Sequence, residues 1–197
     1  QNGVLIPFGA NTSSLTDYTS FGSTSIAAGS VTRTFTITND GTADLNLTGN
    51  PRVSLDGSSA FRVTTQPIST TLAAGASATF AITLDTGRDG NHEALVSIAN
   101  SDSDEDPYTF AITGTILPTT LDLVEGRSSF DGSVLAGDRH SFTFTLDGPR
   151  FVVLSTTGGA PLRAELRNGA GSVIESFEGD GDFNIDGLLV AGDYVLV

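Results

Sequence analysis

The side chains able to do chemistry in this chain of 197 residues are mostly carboxylates. Asp102, Asp104 and Asp106 crowd into SDSDEDP, with Glu105 between them. Hard oxygen ligands at alternate positions suit calcium, so these three aspartates form a candidate calcium loop. The spacing matches half of an EF-hand loop but lacks its central glycine and its closing glutamate. The competing reading is a solvated acidic turn ahead of a strand. Asp180, Asp182 and Asp186, in EGDGDFNID, form a second candidate, where Gly179 and Gly181 let the backbone turn sharply. Calcium is the one cofactor these residues would take; otherwise the expectation is none.

Other chemistry has less to stand on. His92 and His140 are the two histidines, and the chain has no cysteine. Neither histidine sits in a metal-ligand spacing. His92 reads as a turn-edge residue beside Glu93, and His140 as a solvent-facing strand residue. Serines are plentiful, but no Gly-x-Ser-x-Gly elbow is present. Pairs of carboxylates, as a glycosidase needs, arise in any acidic chain. The expectation is therefore a protein that is not an enzyme. Asn11-Thr-Ser and Asn46-Leu-Thr are glycosylation sequons, usually idle in a bacterial protein but able to carry sugar in a eukaryotic or archaeal one.

The composition narrows the partners. There are 23 acidic residues against 9 basic ones, for a net charge of −14. Every basic residue is arginine. Such a chain repels phosphate backbones, which argues against nucleic acid. No apolar run approaches the length of a membrane span, which argues against membrane insertion. Glycan sites usually display aromatic platforms. Tryptophan is absent here, and only Tyr18, Tyr108 and Tyr194 offer a polar-tipped ring.

The elements that must position these residues read as strands. With 12 Phe and no Trp, Met or Cys, the core must come from Phe, Val, Ile and Leu. Ile26 to Asn39, IAAGSVTRTFTITN, is an Ala-Gly turn followed by strict alternation. Val31, Phe35 and Ile37 fall on one face, and Thr32, Thr34, Thr36 and Thr38 on the other. Related turns open LAAGASATFAITL at Leu72, LAGDRHSFTFTL at Leu135 and LVAGDYVLV at Leu189. Further strands are expected at Phe21–Ile26, near Leu45, Val53 and Phe61, and at Ala78–Leu84, Glu93–Ala99 and Tyr108–Thr115. Gly87 to Asn91 reads as a turn. Ile116-Leu-Pro-Thr-Thr marks a boundary. Beyond it, strands are expected at Leu121–Val124, Arg139–Leu146, Phe151–Thr156, Leu162–Arg167, Val173–Phe177, Phe183–Leu188 and Tyr194–Val197. Asn168-Gly169 predicts a tight hairpin. No segment reads as a helix. The fold class is all-β: two tandem antiparallel β-sandwiches, Ig-like then jelly-roll-like. Residues 1–20 are an N-terminal arm or linker, 21–117 the first domain and 118–197 the second.

Two resemblances follow from these stretches. FGSTSIAAGSVTRTFTITNDGTADLNLTG, FRVTTQP, LAAGASATFAITL and SIANSDSDEDPYTFAITGTI come in the order of the immunoglobulin-like choice-of-anchor D, or ASH-type, modules, and residues 21–115 resemble them. The opening QNGVLI is similar to the junction between two such modules. VLAGDRHSFTFTL, LRAELRNGAGSVIESF and LLVAGDYVLV make residues 121–197 similar to the bacterial pre-peptidase C-terminal (PPC) domain. The first resemblance implies spacer or interaction modules in surface or secreted proteins. The second implies a non-catalytic domain of an exported protein.

The expectation is then an extracellular or cell-surface structural protein, whose partners are copies of itself or other surface proteins. Its apolar ends, Val4, Leu5, Ile6 and Phe8 on one side and Tyr194, Val195 and Val197 on the other, are candidates for strand addition between subunits. Such head-to-tail contacts build a filament. The alternative is a substrate- or calcium-binding accessory module of a larger secreted enzyme or adhesin. A chain that begins at Gln rather than Met reads as a processed product or as part of something longer.

Overall fold

A computed structural model of the chain describes residues 3–124, 128–129, 137–157 and 161–197. The architecture is all-β, built of several mainly antiparallel sheets, and the chain divides into two compact units, Gln1–Leu117 and Pro118–Val197. The one helical segment described is a 3₁₀ turn at Ile26–Ala28.

The first unit holds β1 (Ser20–Ser25), β2 (Val31–Thr38), β3 (Leu45–Asn46), β4 (Val53–Gly57), β5 (Phe61–Thr65), β6 (Thr71–Leu72), β7 (Ser77–Leu84), β8 (Gly90–Ile98) and β9 (Tyr108–Leu117). Four strands form one sheet in the order β1-β9-β8-β4. Three form another in the order β2-β7-β5, and β3 pairs with β6. The dyad pattern explains the packing. Phe35 lies opposite Phe80 across β2 and β7, and Val96 opposite Phe110 across β8 and β9. These residues turn into one core with Phe21, Val53, Phe61, Ile82, Leu84, Ile98, Ile112 and Ile116. Phe35 stacks on Phe80 at 5.3 Å between ring centroids and tilts against Phe110 at 5.7 Å. Offset and edge contacts of this kind add to the burial of the rings themselves. The other face of β2 is a threonine row. Thr32 bonds Thr83 across to β7 at 2.8 Å, and Thr38 bonds Ser77 at 3.1 Å.

The second unit holds β10 (Thr119–Thr120), β11 (Phe142–Leu146), β12 (Arg150–Ser155), β13 (Pro161–Asn168), β14 (Val173–Asp180), β15 (Asn184–Leu189) and β16 (Gly192–Leu196). Five strands are ordered β10-β11-β16-β13-β14, and β12 pairs with β15. The core is Phe144, Leu146, Ala164, Leu166, Phe183, Ile185, Leu189, Tyr194 and Leu196. Tyr194 stacks on Phe144 at 5.4 Å, and its buried hydroxyl donates to the Val190 carbonyl at 2.9 Å. That bond removes the cost of enclosing a phenol.

Four local expectations need correction. Gly90 and Asn91 belong to β8 rather than to a turn, because β9 runs on to Leu117 and pairs with them at Ile116 and Thr115. The strand expected at Leu121–Val124 is replaced by β10, which pairs with the start of β11. The β13–β14 hairpin has a loop longer than two residues. The Asn168 carboxamide oxygen accepts from the amides of Ala170 and Ser172, and Gly171 takes φ +82°. His140 is buried, 8% exposed, rather than on a solvent face. Leu135 and Ala136 of the expected Ala-Gly-Asp turn lie outside the described residues.

Gly114 shows how tightly the first core closes. A Cβ there would stand 2.5 Å from Leu84 Cδ2 and 3.2 Å from Phe21 Cβ, and both side chains are buried. Gly114→Ala should therefore cost about 1–3 kcal/mol through overpacking. Chemical denaturation checks this; a midpoint equal to that of the unaltered chain would show that the sheets have room to part.

Candidate functional site

The acidic loop between β8 and β9 is organised by an asparagine. Asn100 is buried, and its side-chain amide donates to the carbonyls of Ile98 at 3.1 Å and Glu105 at 3.0 Å. Its carboxamide oxygen accepts from the Asp102 amide at 2.7 Å. The Asn100 amide in turn donates to the Asp106 carboxylate at 2.9 Å. Asp106 is thus occupied with the loop's own backbone, as short acidic side chains in turns commonly are. The Asp104 carboxyl lies close enough to Asp102 to bond its protonated form. That bond, then desolvation and the charge of Asp104, holds the Asp102 carboxyl above its ordinary range. The loop is a self-bonded acidic turn.

The second trio is spread out. Asp180 ends β14 opposite Pro161, Asp182 lies in the following turn, and Asp186 sits in β15 opposite Val153. Among the described residues, no group of three or more His, Asp or Glu side chains is arranged to hold a metal ion.

His92 makes the most chemistry-like contact in the chain, and its partner is one that sequence reading missed. Its Nδ1 lies 2.8 Å from Ser58 Oγ, and its Nε2 lies 2.8 Å from the Arg88 carbonyl. A carbonyl oxygen only accepts, so Nε2 carries the proton and Nδ1 accepts from the serine. A serine bonded to an imidazole is half of a nucleophilic pair. Here the third partner is a main-chain carbonyl rather than a carboxylate. Ser58 Oγ also accepts from the Ala60 amide at 3.2 Å, and the Ser58 amide donates to the Glu93 carbonyl at 2.8 Å. The arrangement clips the β4–β5 turn onto β8. No local sequence signal joins Ser58 to His92; only the β4–β8 pairing brings them together.

Charge pairs lie on the outer faces. Arg62 grips Asp85 through two guanidinium nitrogens. On β13, Glu165 lies between Arg163, at 2.7 Å, and Arg167. Alternate residues of a strand share a face, which places the three side by side. The hydrogen bond from Arg167 leads in holding the Glu165 carboxyl below its usual range, with Arg163 adding to it. Two clefts lie among the described residues, and both are modest. One, of about 190 Å³, is lined by Thr120, Leu121, Asp122, Leu123, Asp147 and Arg150 among others. Another, of about 430 Å³, lies beside Asn50, Pro51, Arg52, Gln66 and Thr70.

The terminal segments are engaged within their own units. Gly9 donates to the Thr109 carbonyl and Ala111 to the Ala10 carbonyl, each along the edge of β9. Ile6 packs on the first core, its carbonyl accepts from Tyr108, and Phe8 tilts against the Tyr108 ring at 5.6 Å. Burial is the main influence raising the Tyr108 phenol, with Glu105 next. Val4 and Leu5 are exposed. At the other end, Tyr194, Val195 and Leu196 lie in β16, paired with β11 on one side and β13 on the other, and Val197 bonds Glu165 through both main-chain groups. The two sequons are exposed: Asn11 in the arm, and Asn46 in β3, where its carboxamide accepts from Thr71 at 2.7 Å.

Two outcomes follow. Ser58→Ala leaves a buried imidazole nitrogen without its donor and should destabilise the first unit by about 1–3 kcal/mol; an unchanged denaturation midpoint would mean that the clip holds nothing. For Glu165, a lowered carboxyl adds stability above the unfolded value and loses it as pH falls through the folded one. Below the ordinary glutamate range, the melting temperature should therefore drop less steeply with acid in Glu165→Gln than in the unaltered chain. Identical pH profiles would show that the arginine pair is only a surface coincidence.

Among proteins of curated function, none matches the chain. Among solved structures, a protein of unknown function from Porphyromonas gingivalis W83 is 19% identical, with a TM-score of 0.41 over 49% of this chain and 42% of that one. The secreted serine protease VesC from Vibrio cholerae is 13% identical, with a TM-score of 0.41 over 90% of this chain and 44% of that one. The VesB protease from Vibrio cholerae is 18% identical, with a TM-score of 0.38 over 49% and 29%. The chain thus spans less than half the length of each, and at these scores no fold or function is carried over. Residues 12–125, more than half of the chain and nearly all of its first unit, match the family described as domain of unknown function DUF4232, and the chain belongs to that family.

Proposed function

We propose that this chain is a non-catalytic accessory segment of a larger exported protein, in which two β-sandwiches space and present the parts beside them. The first unit takes the spacer or interaction role that its ASH-type resemblance implies. The second takes the appendage role of PPC-like domains in exported proteins. The observation that carries the reading is the state of the chemistry-bearing side chains. His92 is spent on Ser58 and a carbonyl, Asp106 on its own loop, and Glu165 and Asp85 on arginines. A catalytic site needs such groups free and converging.

The ends of the chain favour an appendage over a filament subunit. Strand addition needs main-chain groups that are still unpaired. β16 is paired on both sides, and the arm at residues 9–10 bonds to β9. With a net charge of −14, copies of the chain also repel one another.

Light scattering behind a sizing column tests this directly. The purified chain should elute as a monomer at every concentration tried, and electron micrographs of negatively stained material should show separate particles. Fibres, or a mass that climbs steadily with concentration, would overturn the reading and restore the filament subunit.

A further inference from the structure

The outermost strands of the first unit are treated unequally. The outer edge of β9 is covered by residues 9–10 and by β1. On β4, the Gln66 side chain does a strand's work. Its Oε1 accepts from the Val53 amide at 2.9 Å, and its Nε2 donates to the Val53 carbonyl at 2.8 Å. On β5, the register breaks at a bulge between Val63 and Thr65. Covers and bulges of this kind are how edges are closed to strangers. β2 has neither. It is eight residues long, pairs in unbroken register with β7, and lies at the end of its sheet. Among the described residues, its main chain makes no hydrogen bond beyond that ladder.

The inward face of β2 carries one charge. Arg33 shares its parity with Val31, Phe35 and Ile37, which all pack on the core. Its guanidinium lies over the Tyr18 ring at 4.6 Å and near the Phe21 ring at 5.3 Å. Tyr18 holds a positive φ of 67°, which a bulky residue seldom adopts. The rings attract a cation but offer no lone pair to an N–H. Nε and Nη1 of Arg33 are enclosed without any acceptor. A buried donor left in this way is costly, and a carboxylate is the acceptor that best fits a guanidinium fork.

We propose that the free edge of β2 docks an extended segment of a partner protein, and that this segment carries an Asp or Glu facing Arg33. A strand added to β2 would set its inward side chains beside Arg33 at ordinary cross-strand spacing, about 5 Å. Its main chain would complete the β2 ladder, which gives affinity. Its carboxylate would lie beside the guanidinium, whose Nη2 is not among the enclosed atoms, and neutralise its charge, which gives selection. A neutral or basic strand would enclose the guanidinium with no partner and be rejected. The same rule rejects β2 of a second copy, which brings another arginine. The docking edge stands independently of the accessory role proposed above.

The probe is a fluorescein-labelled peptide as long as β2 that alternates threonine and valine, with one glutamate at a central apolar position. Two controls carry glutamine or lysine there. Anisotropy titrations against the whole chain should show the glutamate peptide binding about tenfold or more tightly than the glutamine one, and the lysine peptide weakest. Amide shift changes in the bound state should centre on residues 31–38. Arg33→Leu, checked for a native melt, should abolish the preference for glutamate. If that variant does not fold, the peptide series on the unaltered chain decides alone. Equal binding of the three peptides, no binding of the glutamate peptide, shift changes at another edge, or self-association of the unaltered chain through β2 would each overturn the proposal.

Discussion

Everything in the first unit rests on one steric constraint: alternate side chains of facing strands must fill a single space between two sheets. Phe35, Phe80 and Phe110 meet there from three strands and two sheets. Their stack sets the distance at which Ile82, Val96 and Ile112 can close the rest, all of them fully buried. Gly114 belongs to the same constraint, since β9 can come this close to Leu84 and Phe21 only where no Cβ stands between them. Interiors packed to this density transmit any added volume to their neighbours.

Once the faces are buried, the remaining problem is the edges and the turns, and polar side chains solve most of it. Gln66 imitates a strand beside Val53, Asn100 holds a hairpin loop from within, and Ser58 and His92 tie a turn to β8. These groups have the chemical character of functional residues, but their hydrogen bonds close on the main chain or on one another. The second unit solves its central strand in another way, by threading β16 between β11 and β13 and capping the Tyr194 hydroxyl on Val190.

The legible part of the sequence was whatever had period two. Val31–Thr38 reads as a strand because its threonines and apolar residues alternate without a break, and β7 and β9 are legible for the same reason. What escaped depends on contacts distant in sequence. Nothing near His92 announces Ser58, and nothing near Gln66 announces Val53. In the acidic loop, spacing shows which carboxylates are near one another, not where they point; Asp106 points at the Asn100 amide. Arg33 left a visible trace that counting threonines passed over. It is the one charged residue on an otherwise apolar face.

The central claim is that the first unit is a closed sandwich in which the outer edge of β2 is long and uncovered. Residue-resolved amide hydrogen exchange on the isolated chain tests it most directly. Amides in the middle of β7, β8 and β9 should exchange slowest, and the β2 amides that point away from β7 should exchange fast within an otherwise protected strand. Uniform protection along both sides of β2 would mean that something already covers it, and fast exchange throughout β7 and β9 would mean that the two sheets do not close on each other.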